Sequence, residues 1–390
     1  MAELHFGHCN PLNLRVKVWV LAPLVQTNDE TIDYYYDFSQ SIAEYTTTFA
    51  ALDLLWQWQP VTMDDYDEVI EQIALERDNH TYFPIVFNIC DGDEVNGTPG
   101  ISVVKLLQER KLVYTGSAAF FYHITTSKIA MKKRFDKAGV PTPAWESIKT
   151  EKHSVKGLFE RLGTPVIIKP SVSGGSMGVG TKNVVYTEAE ASQLIKQMFE
   201  GYRGWNLATD GLIAESFIPG QEFTSFLVGD HDKPAGTLIY EPVERVFHAS
   251  LPEDEQFLSF DRLWEIYEEE QAMPGEENFY EYAEVNETDA EEVKKLSWKA
   301  FVSVKGTGYT RIDIRKDKRT GKLYVLEVNA QCGISEDENF TSIGAILKVS
   351  GKSFSELVLE IINNALERHN SSTVPVRKKL LSLVNTSNAR

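Results

Sequence analysis

The chain has 390 residues, of which 42% are hydrophobic and 25% are charged, so it has the composition of an ordinary folded protein with room for two or three domains. A formal net charge of −18 argues against a general nucleic-acid binder, and no apolar run approaches the roughly 18 residues that span a bilayer. Three cysteines, Cys9, Cys90 and Cys332, have an odd count and no metal-binding spacing, which favours a reducing, cytoplasmic location.

The first part of the chain alternates strand and helix patterns. Residues 14–21 and 83–90 are mainly apolar runs of strand length, and residues 32–55 have the pattern of one or two helices. Strands that alternate with helices are typical of an open, mostly parallel sheet. We therefore predict an N-terminal α/β domain over residues 1–123.

A glycine-rich loop follows the next buried strand. Residues 166–169 read Val-Ile-Ile-Lys, and residues 170–180 contain four glycines and three serines. Glycines let successive backbone amides approach an anion, and Lys169 at the strand end adds a positive charge. The Gly-Lys-Ser/Thr ending of a Walker loop is absent. A glycine-rich loop alone would also suit a flexible linker, but with the lysine it predicts a nucleotide phosphate site.

The segment between Pro252 and Glu292 is strongly acidic. It holds 16 Asp and Glu residues against one basic residue, Arg262, a local net charge of about −15 that leaves about −3 for the rest of the chain. Such a segment is either a solvated lid or a surface that selects substrate by charge. Three aromatic residues within it could supply the apolar contact that lets a lid close: Phe257, Phe260 and Trp264.

Two adjacent strands are predicted at residues 308–314 and 324–333, joined by a polar, Gly-containing turn at 315–322. They carry an arginine and three oxygen-bearing side chains at alternating positions: Arg311, Asp313, Glu327 and Asn329. Because strand side chains alternate faces, the members of each strand share a face and can converge across a hairpin. Hard oxygen ligands suit Mg²⁺ bound with substrate phosphates. The alternative is a surface hairpin whose polar residues face water.

Six motifs follow one another in a fixed order: Ser127-Lys128, Ile168-Lys169-Pro170, the glycine-rich loop, Glu215 to Thr224, Arg311-Ile312-Asp313, and Glu327-Val328-Asn329. In this order they resemble the ATP-grasp superfamily and, within it, the D-alanine–D-alanine ligase branch. The resemblance covers about residues 84–365 and is strongest over residues 308–333.

The resemblance implies an α/β protein in which the open-sheet domain is followed by two α+β ATP-grasp lobes that sandwich the nucleotide. The central lobe would span residues 124–218, and the C-terminal lobe residues 219–368 with the acidic insert at 252–292. An amphipathic helix at 353–367 would close this lobe, and residues 369–390 would be a flexible tail.

The same resemblance implies a role for each motif residue. ATP would be bound by Lys128, Lys169, Gly174, Gly175, Ser176, the hinge residues Glu215, Ser216, Phe217 and Ile218, and Glu222 at the ribose. Two Mg²⁺ ions, which Mn²⁺ could replace, would be held by Asp313, Glu327 and Asn329, with Glu327 as the bridge. The catalytic residues would be Arg311, Ser176 and Gly333, the last through its backbone amide.

Other positions depart from the branch. Its His-Gly-x-Gly-Gly-Glu-Asp-Gly run reads Cys90 to Gly97 here, with cysteine for the histidine and valine for the glutamate. The N-terminal pattern whose glutamate binds the first substrate's ammonium group is replaced by Ala22 to Glu30, and Gly175 replaces the first loop serine. The acidic insert stands in for the lysine-bearing lid. The substrate pockets therefore differ, and D-alanyl-D-alanine is not the expected product.

These features predict an ATP-dependent, ADP-forming ligase that makes an amide or imine-type C–N bond. It would join an amino acid to a small carboxylate or amino acid through an acyl phosphate. The alternatives are a D-alanine–D-alanine ligase with atypical pockets and a nucleotide-binding regulatory protein with a degenerate site. The expected partners are small molecules, with no nucleic acid and no membrane, and a homodimer is compatible with the sequence.

Overall fold

The computed structural model describes residues 3–25, 37–202, 204–274 and 277–373, which form three β-sheets with helices packed against them. Of the helices in these ranges, none combines the length and the apolar character needed to cross a bilayer. The mixture of one parallel and two antiparallel sheets confirms the predicted fold class.

The first sheet is the parallel one. Its strands are β1 (Val16–Pro23), β2 (Leu55–Val61), β3 (Phe83–Asn88) and β4 (Val113–Tyr114). Its helices are α1 (Ser39–Ala51), α2 (Tyr66–Asp78) and α3 (Ile101–Glu109). The spatial order is β2-β1-β3-β4. β3 is buried along its whole length, as continuous apolar strands of parallel sheets are.

The second sheet is antiparallel and follows two linking helices, α4 (Ala119–Thr126) and α5 (Lys128–Ala138). Its strands are β5 (Trp145–Ile148), β6 (Val166–Pro170), β7 (Val184–Val185) and β8 (Leu212–Ser216), in the order β5-β8-β6-β7. Helices α6 (Leu158–Leu162) and α7 (Glu188–Glu200) pack on it through buried aliphatic side chains. The glycine-rich loop leaves this sheet at the end of β6.

The third sheet is antiparallel and central to the molecule. Its strands are β9 (Gly220–Asp230), β10 (Leu238–Ile239), β11 (Val243–Phe247), β12 (Tyr280–Glu284), β13 (Thr307–Asp317) and β14 (Leu323–Ala330). The order is β12-β11-β9-β13-β14, with β10 also paired to β9. The helices of this part are α8 (Phe260–Leu263), α9 (Glu287–Ser303), α10 (Ser342–Ser350) and α11 (Phe354–Thr373). Short 3₁₀ turns lie at Thr181–Asn183, Pro234–Gly236 and Glu253–Glu255.

Successive residues of β9 belong to different cores, because side chains alternate along a strand. Phe226 packs with the first sheet, α10 and α11, whereas Leu227 packs with α4, α5 and α9. The third sheet is therefore covered on both faces, which holds its strands rigidly at the centre of the molecule.

Gly308 marks a close approach between the third sheet and the loop after β4. Its φ is +78°, and a Cβ there would lie 2.0 Å from the carbonyl oxygen of Gly116, so only glycine fits. Next to it, the Ala118 amide donates to Thr307 Oγ1 at 2.8 Å. The start of β13 is thus fixed to the N-terminal part of the chain.

The predicted turn at 315–322 begins later than the sequence indicated. β13 continues to Asp317, so Arg315 lies in the strand. Its guanidinium forms a buried ion pair with Glu222, which gives this charged residue a place inside the sheet. A run of charged residues is typical of a turn, but here the ion pair with Glu222 lets the strand continue.

The C-terminal helix is longer than predicted. α11 continues to Thr373, so residues 369–373 are helical and do not belong to the predicted tail. Asn370 holds this end in place by donating from Nδ2 to the Phe6 carbonyl at 3.0 Å. Residues 26–36 and 374–390, which include part of the predicted helix at 32–55 and the rest of the tail, lie outside the described residues. The domain boundaries at 123 and 218 stay predictions.

Candidate active site

One cavity of about 710 Å³ is lined by residues from the regions of all three sheets. Its wall contains every residue that the motifs assign to nucleotide, metal or catalysis: Lys128, Lys169, Gly174, Gly175, Ser176, Glu215, Ser216, Phe217, Ile218, Glu222, Arg311, Asp313, Glu327, Asn329 and Gly333. Residues separated by up to 205 positions therefore meet at one place, although their individual roles stay predictions.

The hairpin of β13 and β14 brings its polar side chains together. Arg311 lies opposite Asn329 and Asp313 opposite Glu327, just before a bulge that shifts the register. Asn329 Nδ2 donates to Asp313 Oδ2 at 2.9 Å and to Glu327 Oε1 at 3.2 Å. Arg311 Nε donates to Asp313 Oδ2 at 3.2 Å. The four side chains thus share one face of the hairpin.

The pKa values of the two hairpin carboxyl groups shift in opposite directions. Burial raises the pKa of Asp313, so a nearby cation would favour its ionised form. Burial also opposes ionisation of Glu327, but the charges of Lys128 and Lys169 outweigh it and lower the pKa of this carboxyl. Two carboxylates and one amide are hard oxygen donors, which fit Mg²⁺ bound with phosphates. In the described ranges no three His, Cys, Asp or Glu side chains cluster as a metal site, so phosphate and water would complete the coordination.

Lys128 enters the cavity from the first turn of α5. Ser127 caps this helix, since its Oγ accepts from the Ala130 amide at 3.2 Å, which fixes where the helix begins. Lys128 Nζ donates to the Ser173 carbonyl at 3.2 Å and lies 3.5 Å from Glu327 Oε2. This lysine therefore joins the glycine-rich loop to the hairpin.

Lys169 enters the cavity from the end of β6 and pairs with the buried carboxylate of Glu215. Lys132 Nζ lies 2.9 Å from the same carboxylate. The two lysines outweigh burial and lower the pKa of Glu215 to about 2, so it is a permanent anion that orients Lys169. Lys132 is not among the site residues predicted from the sequence. Its position one helical turn after Lys128, on the same face of α5, could have indicated it.

The hinge after β8 has a fixed backbone. The Phe217 amide donates to the Pro165 carbonyl at 3.1 Å, and the Ile218 carbonyl accepts from Arg315 Nη1 at 2.9 Å. The Ile218 amide donates to no backbone acceptor that the structure describes, which leaves it available for an adenine edge. The Phe217 ring packs edge-on against Phe257 of the acidic insert, with ring centroids 6.0 Å apart.

Glu222, predicted at the ribose, is buried and held by two arginines. It pairs with Arg245, and it accepts from Arg315 Nε at 3.0 Å. These charges outweigh burial and lower the pKa of the Glu222 carboxyl. Both of its oxygens already have guanidinium partners, so a ribose would have to share them. Arg315 could have been predicted, because it continues the alternation of Arg311 and Asp313. No sequence signal marked Arg245.

Part of the acidic insert packs directly on the glycine-rich loop, and we call residues 257–270 the clasp. Ser176 Oγ donates to the Leu258 carbonyl at 2.9 Å, and Trp264 Nε1 donates to the Gly175 carbonyl at 2.8 Å. The clasp therefore contacts two of the loop residues that the resemblance assigns to ATP. Side chains of the clasp, among them Phe257 and Trp264, also line the nucleotide cavity.

Glu270 anchors the end of the clasp. This carboxylate is only 6% exposed; it accepts from the Thr181 amide at 2.7 Å and from Ser259 Oγ at 2.6 Å. Arg262 Nε lies 3.3 Å from it. The clasp is therefore a packed element, and at Glu270 the interpretation of the insert as a solvated lid is wrong.

The loop after β3 and the end of β14 form the opposite wall. Cys90, which replaces the histidine of the resembling family, is fully buried, and its thiol donates to the Leu21 carbonyl at 3.6 Å. Burial raises the pKa of this thiol, so it cannot replace a histidine at the site. A Cβ on Gly333 would meet no atom within 4 Å, so its backbone borders open space. Asp91 lines the same wall and was missed, although ligands bind outside the carboxyl ends of strands in open α/β sheets.

Comparisons with known proteins agree with this arrangement. A family model described as D-ala D-ala ligase C-terminus matches residues 135–363. A D-alanine–D-alanine ligase of Thermoanaerobacter sp. is 29% identical over 307 residues, which are 76% of each chain. A D-alanine–D-alanine ligase of Xylella fastidiosa is 26% identical over 287 residues, 73% of this chain and 82% of that protein.

Solved structures show the same fold. The D-alanine–D-alanine ligase of Coxiella burnetii superposes with a TM-score of 0.64 at 18% identity, over 94% of this chain and 100% of that one. The Bacillus anthracis enzyme complexed with ATP gives a TM-score of 0.61 at 18% identity, over 92% of this chain and 99% of that one.

Proposed function

The chain belongs to the D-alanine–D-alanine ligase C-terminus family and is an ATP-dependent, ADP-forming C–N ligase, and on that premise we propose that it joins an amino acid to a small carboxylate or to a second amino acid. The observation that carries this proposal is the convergence of the hairpin, the two cavity lysines and the glycine-rich loop on one cavity. Cations and backbone amides for phosphates lie there beside carboxylates for a metal.

We propose that Lys128, Lys169 and the glycine-rich loop bind the ATP phosphates. Asp313, Glu327 and Asn329 would hold Mg²⁺. When bound, the metal would supply positive charge to the phosphate oxygens. We retain two ions as the expected number, with Mn²⁺ as a substitute. The ion pairs that orient Lys169 and Arg311 place these charges before substrate arrives, which reduces reorganisation during the reaction.

The proposed reaction has two steps. A carboxylate oxygen of the first substrate attacks the γ-phosphorus, and the bond from this phosphorus to ADP breaks, which leaves an acyl phosphate. The amine nitrogen of the second substrate then attacks the acyl carbon; phosphate leaves and the nitrogen loses a proton. Arg311, always charged, would face the oxygens that gain charge, and the Gly333 amide would donate to the tetrahedral oxyanion. The clasp over the loop would exclude water that hydrolyses the acyl phosphate.

The substrate pair is proposed to differ from two D-alanines. The position of the family histidine is a buried cysteine with no access to a ligand, and the glutamate of the same run is a valine. D-alanyl-D-alanine as product is the second candidate, favoured by the names of the similar proteins.

The test is release of phosphate from Mg-ATP with a panel of amino acids and small carboxylates, alone and in pairs, with products identified by mass spectrometry. D-alanine alone is one arm of the panel. A pair that yields phosphate and an amide product supports the proposal. A dipeptide formed from D-alanine alone selects the second candidate, and no phosphate release with any member would contradict both.

Two further features belong to the proposal. All three cysteines are free, which supports a cytoplasmic location. A homodimer is compatible with the chain, and sedimentation equilibrium would test it.

A further inference from the structure

Asp91 is a carboxylate in the cavity wall that the proposed mechanism does not use. It follows β3 and is open to the cavity. Its two neighbours in the acidic run have structural partners: Asp93 accepts from the Val95 amide at 2.9 Å, and Glu94 accepts from Ser102 Oγ at 2.9 Å. The Asp91 carboxylate interacts with its own backbone amide, but it has no ion pair and no side-chain hydrogen bond to another described residue, and it lines the cavity.

Side-chain hydrogen bonds hold the backbone on both sides of Asp91. Gln331 Nε2 donates to the Cys90 carbonyl at 3.0 Å, and Tyr122 Oη donates to the Gly92 carbonyl at 2.7 Å. Gln331 lies two residues before Gly333, at the proposed oxyanion position. The loop that carries Asp91 is therefore fixed to the segment just after β14, which contains Gly333. Asp91 is held near this proposed oxyanion position.

No cation in the described part of the cavity wall is free to neutralise Asp91. Each wall lysine and arginine already has a carboxylate partner. Although Asp91 is open to the cavity, the protein around the cavity desolvates its carboxyl group, and this effect with the like charge of Asp93 raises the pKa of Asp91 to about 6. At neutral pH Asp91 therefore remains mainly ionised. A cationic ligand group would satisfy it.

We infer that Asp91 binds the α-ammonium group of the amino-acid substrate whose carboxylate is phosphorylated, an assignment that rests on the proposed ligase function. The activated substrate keeps its ammonium charge through both steps, whereas the attacking amine must lose its proton. A fixed carboxylate stabilises an ammonium ion, so it suits the first substrate and would hinder the second.

The test isolates the first substrate. Mg-ATP, hydroxylamine and one carboxylic acid are mixed: the acyl phosphate is attacked by the hydroxylamine nitrogen, phosphate leaves and a hydroxamate forms. Each amino acid is paired with its 2-hydroxy analogue: glycine with glycolate, L-alanine with L-lactate, and D-alanine with D-lactate. The parent protein should prefer an amino acid, and Asp91→Asn should lower kcat/KM for it by about 10- to 100-fold, because a hydrogen bond to a charged group is worth about 1.5–3 kcal/mol. The hydroxy acid should lose far less.

Glu94→Gln is the matched control. Glu94 lies in the same loop, does not line the cavity and accepts from Ser102 Oγ, so this variant should lower the Tm without changing the preference for the amino acid. Asp91→Glu, which keeps the charge, should restore part of the preference.

Binding of the same pairs to the complex with Mg and a non-hydrolysable ATP analogue gives a reading that needs no turnover. An amino-acid preference that persists in Asp91→Asn, or a parent that prefers the hydroxy acids, would overturn the assignment while leaving the ligase function intact. A parent that releases no phosphate with any acid contradicts the proposed function instead. In that case a preference for amino acids in binding, lost in Asp91→Asn, would still support the site.

Discussion

The two walls of the cavity differ in how their charges are satisfied. On the nucleotide side each cation is held by a carboxylate, as Lys169 is by Glu215 and Arg311 by Asp313. On the substrate side Asp91 has no cationic partner among the described residues, and the side chain of the adjacent Cys90 is fully buried. The ion pairs on the nucleotide side can keep the positions of its side chains fixed when no ligand is bound. The unpaired carboxylate of Asp91 needs a cationic group from the ligand, so we expect substrate specificity to be determined on the substrate side.

The largest effect should come from a change in the proposed metal site. Glu327→Gln should reduce turnover below detection while the fold survives, because one negative charge is lost between two proposed Mg²⁺ positions. Phosphate release at saturating magnesium is the measurement. Glu281→Gln, at an exposed carboxylate on the edge strand β12, is the control and should retain activity. Near-normal turnover of Glu327→Gln would remove the two-ion assignment.

A smaller loss is expected at the arginine of the hairpin. Arg311→Lys keeps the charge but removes the planar fork, so kcat should fall by roughly 100-fold, about 2.7 kcal/mol for one oriented donor. Steady-state kinetics separate the two constants. If KM alone rises and kcat is kept, Arg311 serves ground-state binding and not the transition state.

The clasp should contribute less still. Glu270→Gln removes the charged acceptor of the Thr181 amide and should weaken the closed clasp by about 1.5–3 kcal/mol. Protease cutting between Ser171 and Gly180 should become roughly tenfold faster, and ATP hydrolysis without ligation should rise. Glu265→Gln, at an exposed position of the same segment, is the control, and the protease should cut it at the same rate as the parent protein. Equal cutting of both variants would show that the clasp does not restrain the loop.

The smallest effect concerns charge steering by the insert. Glu268 and Glu269 are exposed, unlike Glu270, and their contacts with Tyr202 and Lys182 lie at the surface, so neutralising them should disturb the clasp far less than Glu270→Gln. The pair Glu268→Gln and Glu269→Gln should lower kcat/KM for the amine substrate about twofold at low salt and leave it unchanged at high salt, because salt screens such fields over about 8–10 Å. An identical salt response of variant and parent would show that Glu268 and Glu269 do not steer the substrate by charge.

The sequence predicted what depends on local periodicity. Alternation along two strands was enough to bring Arg311, Asp313 and Glu327 together, since the pleat of a strand fixes side-chain direction. It could not reveal Arg245 or the contact of Trp264 with Gly175, because both depend on how distant segments pack. Asp91 is an intermediate case. The sequence predicted the strand that precedes it, but only the positions of the neighbouring charged side chains show that Asp91 has no cationic partner among the described residues.

The close contact between Gly308 and the Gly116 carbonyl should limit how the cavity can open. With no side chain between them, the two backbones leave no room for sliding, and the start of β13 is bound to the first sheet as one body. The hairpin of β13 and β14 and the wall that carries Asp91 should therefore move together. We expect ATP to enter by displacement of the other side, the sheet of residues 145–216 with its glycine-rich loop and clasp. The substrate wall would keep its shape at every stage of the cycle.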